Sequence, residues 1–120
     1  MRKILVIDDD HLVLESINKV LKREGYETSL TQCAEEAIKK AQEGSFDLVI
    51  SDIRMPGKNG VEAIREVRKL FDEKIKKDIP IIFITGYAEM GDQLKAEQLG
   101  EVILKPFDLD HLVVTIREYL

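Results

Sequence analysis

The chain has 120 residues, of which 34% are charged and 44% are hydrophobic, and its formal net charge is −5. This length predicts a single domain, residues 1–120, with its own core. The acidic balance argues against bulk nucleic-acid binding and against attraction to anionic membranes, although a local basic face stays open.

No apolar stretch approaches the length needed to span a bilayer, and the N-terminal apolar run leads directly into acidic residues, unlike a signal peptide. The one cysteine, Cys33, cannot form an internal disulfide. Because free thiols are typical of a reducing compartment, we expect a cytoplasmic location.

Short apolar runs bounded by turn residues predict five strands along the chain. They are Lys3–Ile7, Tyr26–Leu30, the run Leu48–Ile50 that leads into Asp52, Pro80–Ile84 and Val102–Leu104. The second run is more polar than the others and suits an edge of the sheet.

Apolar residues at helical spacing predict helices between these strands. The first helix carries Val13, Ile17, Val20 and Leu21 and stops at Gly25. The second carries Ala34, Ala37, Ile38 and Ala41 and stops at Gly44. The third has Asn59 as its expected cap, carries Val61, Ile64, Val67 and Phe71, and is followed by a charged loop, Asp72–Asp78. The segment Glu89–Leu99 is only weakly helical because Gly91 interrupts it. Asp108 is the expected cap of a last helix that reaches Leu120.

Five alternating strand–helix units predict a parallel sheet with helices on both faces and right-handed crossovers. Ligands of such sheets bind beyond the carboxyl ends of the strands. The polar residues at those ends are Asp8, Asp9, Asp52, Thr85 and Lys105.

Asp52 ends a buried strand and is followed by a turn at Met55-Pro56-Gly57. A carboxylate held in this way is a candidate nucleophile or metal ligand. The alternative is that Asp52 only begins the turn, as aspartate commonly does.

Three carboxylates without histidine or cysteine form an oxygen-only set, which favours a hard octahedral cation such as Mg²⁺. Lys105 adds a fixed positive charge, and Thr85 adds a hydroxyl donor. With a phosphoryl group between them, a carboxylate oxygen could attack phosphorus while Mg²⁺ and Lys105 neutralise the other oxygens. The chemistry predicted is formation of an aspartyl phosphate.

Four motifs also carry a family resemblance. Asp8-Asp9, Ser51–Gly57 with Asn59-Gly60, Ile84-Thr85-Gly86 and Leu104–Phe107 stand in order along the whole chain. Together they resemble the receiver domain of two-component response regulators. The resemblance implies a flavodoxin-like fold, (βα)5, with a doubly wound five-stranded parallel sheet in the order 2-1-3-4-5.

The resemblance also implies roles for individual residues. Asp52 is the expected phosphoacceptor, with Lys105 as phosphate partner and Thr85 as switch hydroxyl. Asp8, Asp9, Asp52 and the backbone carbonyl of Arg54 are the expected Mg²⁺ ligands. Val102 stands where the family has an aromatic switch residue, and the segment from Gly100 to Lys105 is shorter than usual.

The function expected from the resemblance is a signalling domain rather than an enzyme with a separate substrate. Its phosphoryl donor is a sensor histidine kinase or a phosphotransfer protein, and its output surface changes for a downstream protein target or a detached output domain. We expect no direct nucleic-acid binding and no membrane contact. The resemblance also allows a phosphorylation-dependent dimer.

Two other functions compete with this one. Haloacid-dehalogenase-like phosphatases use a similar set, which Asp8, Asp10, Thr85 and Lys105 imitate, with Asp108 and Asp110 as a final acidic pair. Against that interpretation, Asp52 would have no role and the chain has no cap domain. The other is a receiver that binds its partner constitutively, without phosphorylation.

Nearby polar and aromatic residues have simpler interpretations. We expect Asp10 to be a helix cap and both His11 and His111 to be solvated surface residues. Tyr87 is either a gate over the site or a surface aromatic.

Overall fold

The computed structural model describes residues 2–53, 60–75, 79–86, 96–105 and 107–120. Strands and helices alternate in the order β1 (Lys3–Ile7), α1 (His11–Arg23), β2 (Glu27–Thr31), α2 (Ala34–Glu43), β3 (Leu48–Ser51), α3 (Gly60–Ile75), β4 (Ile81–Thr85), β5 (Glu101–Leu104) and α4 (Leu109–Tyr119). Residues 96–99 are also helical. Across these ranges, no helix combines the length and apolar character needed to cross a membrane.

The five strands form one parallel sheet in the order β2-β1-β3-β4-β5. This confirms the predicted flavodoxin-like order. The central pairing places Ile7 beside Ser51, so that β1 and β3 end together and the residues after them, Asp8 and Asp52, emerge at the same edge.

A hydrophobic cluster covers each face of the sheet. On one face, strand residues such as Leu5 and Phe83 pack with Ala37 of α2 and Ile64 of α3. On the other face, the cluster joins strand residues to α1 and α4; its members include Ile4, Val6, Ile50, Leu14, Ile17, Leu112 and Ile116. The three central strands, β1, β3 and β4, are therefore buried on both sides, as their continuous apolar runs predict.

Helix α1 begins and ends with recognisable caps. The Asp10 side chain accepts hydrogen bonds from the backbone N–H groups of Leu12 and Val13, which confirms its predicted cap role. At the other end, Gly25 has φ 90°, and its N–H donates to the carbonyl of Lys22. This left-handed residue closes the helix without steric cost.

Several strand boundaries differ by one residue from the prediction. Strand β2 begins at Glu27 instead of Tyr26 and includes Thr31, because the Tyr26 N–H donates to the carbonyl of Leu21 and so helps to close α1. Strand β4 runs from Ile81 to Thr85 instead of from Pro80 to Ile84, and β5 begins at Glu101 instead of Val102.

The predicted loop at Asp72–Asp78 is partly wrong, since α3 continues to Ile75. The segment contains neither glycine nor proline, and glutamate and lysine are good helix formers, so nothing in it stops the helix at Phe71. The expected cap Asn59, the turn at 55–57, and the interrupting Gly91 lie outside the described residues.

Candidate functional site

Three carboxylates meet at the carboxyl edge of the sheet. Asp8 follows β1 and is 2% exposed, Asp52 follows β3 and is 7% exposed, and Asp9 is exposed. One oxygen from each lies within 4.8 Å of the others. The structure therefore brings together the acidic residues that the sequence placed at adjacent strand ends.

The carboxylate of Asp8 is fixed on both of its oxygens. Oδ1 accepts a hydrogen bond of 2.9 Å from the backbone N–H of Asp10, and Oδ2 accepts one of 3.0 Å from Lys105 Nζ. The Asp8 backbone N–H donates to the carbonyl of Thr31 at 3.1 Å. Asp8 is thus held by β2, by the start of α1 and by the lysine that follows β5.

Asp52 is held by its backbone as well as by Lys105. Its N–H donates to the carbonyl of Ile7 at 2.9 Å, and its carbonyl accepts a 2.9 Å hydrogen bond from the hydroxyl of Ser51. Its Oδ2 accepts a 3.1 Å bond from Lys105 Nζ. Strand β3 therefore places this carboxylate between the acidic residues after β1 and the polar residues after β4 and β5.

Lys105 connects the two buried carboxylates across the end of β4. Its backbone N–H donates to the carbonyl of Thr85 at 2.8 Å, which fixes the backbone from which the lysine side chain extends. Its ammonium forms ion pairs with Asp8 and Asp52 at 3.0 and 3.1 Å, and the lysine side chain is only 21% exposed. Short ion pairs of this kind are much less screened than those on a surface.

Burial and charge pairing act in opposite directions on these groups. Burial raises the pKa of Asp8, and this exceeds the lowering by the Asp10 N–H and by Lys105. Burial alone would lower the pKa of Lys105, but the hydrogen bonds and charges of Asp52 and Asp8 outweigh it, so the lysine pKa is raised. Lys105 is therefore firmly cationic, whereas the raised pKa of Asp8 shows that burial makes its charged form less favourable.

The donor set fits Mg²⁺. All three clustered side chains supply oxygen, which is the ligand type that Mg²⁺ requires, and one of them stays accessible to solvent. Within the described ranges, the side chain of Asp9 has no hydrogen-bond or ion-pair partner. The further expected ligand, the carbonyl of Arg54, lies outside the described residues.

Thr85 ends β4 and is fully buried. Because β4 lies between β3 and β5, this places the residue between the strand that carries Asp52 and the strand that carries Lys105. Gly86 follows, and a side chain there would reach ordinary van der Waals contact with Lys105.

Other candidates from the sequence lie elsewhere. The side chain of Asp108 accepts from the N–H of Asp110, so both residues belong to the first turn of α4, as a helix cap predicts. His11 is exposed and pairs with Glu15 at 2.9 Å within α1, and His111 is exposed on α4. Tyr87 lies outside the described residues.

Two hydroxyl residues next to the site were not identified from the sequence. Ser51 is fully buried and bonds the Asp52 carbonyl. Thr31 is 1% exposed; its hydroxyl donates to the carbonyl of Val6, and its carbonyl accepts from the N–H of Asp8. The available signal was a polar residue at the last position of β2 and of β3. The strand register determines what the Thr31 hydroxyl contacts, whereas the Ser51 hydroxyl bonds the next residue in the chain.

An apolar groove adjoins the lysine. It is lined by Leu12, Val13, Ser16, Lys105, Phe107 and Leu109 and encloses about 380 Å³. Leu12, in the first turn of α1, is 74% exposed. Lys105 lines this groove and also forms the ion pairs with Asp8 and Asp52.

Comparison with known proteins identifies the family. The chain is 32% identical to the transcriptional regulatory protein ResD of Bacillus subtilis over 98% of its own length and 48% of ResD. It is 31% identical to the sporulation initiation phosphotransferase F of the same organism, over 98% of this chain and 93% of that protein. It spans only 26% of another relative, ZraR of Klebsiella oxytoca, so it corresponds to about half or less of the two transcriptional regulators.

Solved structures agree. A CheY-like receiver domain from Methanospirillum hungatei superposes with a TM-score of 0.89 at 30% identity, over 98% of this chain and 92% of that one. TrrA from Thermotoga maritima, solved in complex with Mg(2+)-BeF, has a TM-score of 0.82 at 37% identity, with 100% of both chains covered. The family model described as the response regulator receiver domain matches residues 4–117. The chain therefore belongs to the response regulator receiver domain family.

Proposed function

We propose that this receiver domain accepts a phosphoryl group on Asp52 in a Mg²⁺-dependent reaction. The donor is a sensor histidine kinase or a histidine-containing phosphotransfer protein. The observation that carries the proposal is the position of the Lys105 ammonium, 3.1 Å from Asp52 Oδ2 and 3.0 Å from Asp8 Oδ2, beside three clustered carboxylates.

Asp52 is the proposed acceptor because its strand lies in the middle of the sheet. In the strand order, the acidic pair lies on one side of it, after β1, and Thr85 at the end of β4 and Lys105 after β5 lie on the other. In the reaction, a carboxylate oxygen of Asp52 forms a bond to phosphorus while the bond between phosphorus and the donor's imidazole nitrogen breaks. That nitrogen leaves with the bonding electron pair.

Charge is the main problem in this reaction, since an anionic nucleophile attacks an anionic group. Mg²⁺ bound by Asp8, Asp9, Asp52 and the Arg54 carbonyl would neutralise part of that charge. Lys105 supplies a permanent positive charge beside Asp52 and would pair with the phosphoryl oxygens once the group is attached. The hydroxyl of Thr85 would donate to one of those oxygens.

The proposed output is a change of surface rather than turnover of a substrate. Movement of Thr85 toward phosphorylated Asp52 would alter β4 and the segment that follows it. A downstream protein target, or an output domain elsewhere in a longer polypeptide, would bind the altered surface. Binding of a second copy of the domain to that surface would give a phosphorylation-dependent dimer. We place this single domain, residues 1–120, in the cytoplasm, with contact to protein partners rather than to nucleic acid or membrane.

Acetyl phosphate provides the simplest test, because a small donor needs only the site itself. Intact-mass measurement should show one added phosphoryl group, and EDTA should prevent the addition. Asp52→Asn should abolish labelling, whereas the matched variant Asp10→Asn should retain it, because asparagine also caps helices well. Persistent labelling of Asp52→Asn would refute the acceptor assignment, and labelling that is insensitive to EDTA would refute the metal requirement.

We further propose that the groove beside Lys105 receives the histidine-containing donor protein. The groove adjoins the acceptor site through Lys105 itself, so a protein seated there would present its histidine at the sheet edge. Leu12→Glu should slow phosphoryl transfer from the donor protein at least tenfold while labelling by acetyl phosphate stays within about twofold. Val114→Glu, at another exposed apolar position, is the control. Equal slowing with both donors would contradict this docking surface.

A further inference from the structure

The end of edge strand β2 contacts β1 directly before the acidic pair. Thr31, the last residue of β2, pairs in register with Ile7, the last residue of β1. Its carbonyl accepts from the Asp8 N–H at 3.1 Å, and its hydroxyl donates to the carbonyl of Val6 at 3.0 Å. Thr31 therefore holds the peptide groups on both sides of Ile7.

This contact is protected from water. Thr31 is 1% exposed, and the residues that it bonds, Val6 and Asp8, are 0% and 2% exposed. A hydroxyl bond in such a place cannot be exchanged for a bond to solvent, so its loss leaves a buried carbonyl with one donor fewer. In the described sheet no strand lies beyond β2, because β2 forms the edge, so no further strand can supply another donor there.

The position of Asp9 depends on this backbone. Its carboxylate is exposed, and in the described part of the chain it has no side-chain partner that could fix it. The chain around it is fixed at Asp8, through Thr31, and at Asp10, whose carbonyl accepts from Leu14 N–H at 3.0 Å. A shift at the β1 end would therefore move both carboxylates of the acidic pair relative to Asp52.

We infer that Thr31 is a positioning residue for the metal-binding pair Asp8–Asp9. The inference rests on the proposed function, because it presumes that these carboxylates bind Mg²⁺. Thr31 acts through the backbone of β1, with its hydroxyl on the Val6 carbonyl and its own carbonyl on the Asp8 N–H, and not as a metal ligand. Residues that orient metal ligands typically change affinity by about 10- to 100-fold when replaced, and the lower end applies to a residue that acts through the backbone.

The test compares three variants by Mg²⁺ calorimetry and by urea unfolding in EDTA. Thr31→Val keeps the shape but removes the hydroxyl, and we expect Mg²⁺ affinity to fall about tenfold. Thr31→Ser keeps the hydroxyl and should stay within about twofold of the wild type. Thr28→Val is the matched control, because Thr28 lies on the same strand as Thr31 but away from the acidic pair. The Thr28 hydroxyl donates to Asn18 Oδ1 of α1 at 2.6 Å, so its removal should not change Mg²⁺ affinity.

Each result decides the matter. If Thr31→Val unfolds more easily but binds Mg²⁺ as the wild type does, Thr31 is merely structural and the inference is wrong. If Thr28→Val weakens Mg²⁺ binding equally, general loosening of β2 explains the effect and the inference is again wrong. If Thr31→Val does not fold, Thr31→Ala repeats the measurement with the same expected loss, and unchanged affinity refutes the inference. Failure of the wild type to bind Mg²⁺ would instead overturn the proposed function.

Discussion

Replacing Asp9 by asparagine separates metal binding from folding. The three clustered carboxylates each have an oxygen within 4.8 Å of the others, and at that distance two unit charges repel by about 0.9 kcal/mol at the dielectric constant of water. Asp9→Asn removes this repulsion toward both Asp8 and Asp52, although Lys105 already offsets part of it. The metal-free protein should therefore gain about 1 kcal/mol or less of unfolding free energy at low salt, whereas Mg²⁺ affinity should fall at least tenfold, as is typical even for supporting residues of metal sites.

The two quantities come from the same preparation. Urea unfolding in EDTA gives the stability of the metal-free protein, and calorimetry gives Mg²⁺ affinity. Asp10→Asn is the control, because it removes a charge one residue away while its cap is kept; its Mg²⁺ affinity should stay within about twofold. A loss of more than about 1 kcal/mol in Asp9→Asn would show a structural role, and unchanged Mg²⁺ affinity would refute its assignment as a ligand.

Three further predictions concern the buried residues around the site. Burial raises the pKa of Asp8 above its ordinary value of 3.8, so the wild type binds more protons folded than unfolded and loses stability as pH rises from 3.8 through the raised pKa; urea titrations in EDTA should show that Asp8→Asn lacks this loss, and parallel pH profiles would contradict it. Gly100→Ala should lower unfolding free energy by about 2 kcal/mol or more, because its Cβ would collide with the carbonyl of Ile81; a wild-type denaturation midpoint would argue against that close approach. Thr85→Ala should be phosphorylated but fail to show the change in amide exchange that beryllofluoride induces after β4, whereas Val102→Ala should show it; exchange that is unchanged in the wild type would exclude this route.

The fold was largely predictable because local pattern and topology agree. Apolar runs that are too short for helices become strands, and their alternation with helical spacing allows few arrangements. Boundaries were harder to predict, because neighbouring elements compete for the same backbone groups. Tyr26 has a strand-like side chain, yet its N–H closes helix α1, and nothing in the chain before Ile75 stops helix α3.

The location of the candidate site was predictable for a geometric reason, whereas its contacts were not. Carboxyl ends of adjacent parallel strands meet at one edge, so Asp8 and Asp52 had to lie near each other. The span of Lys105 across β4 to both carboxylates depends on side-chain conformation. The contacts of Thr31 with β1 depend on strand register, which the sequence pattern leaves undetermined.

Locating the phosphoryl group on the chain tests the central claim most directly. After labelling with acetyl phosphate and Mg²⁺, borohydride reduces an acyl phosphate to an alcohol, which converts the modified aspartate into homoserine. Peptide mass spectrometry then identifies that position. We predict homoserine at position 52 alone; homoserine at position 8 would contradict the account and support the phosphatase-like alternative, in which Asp8 is the nucleophile.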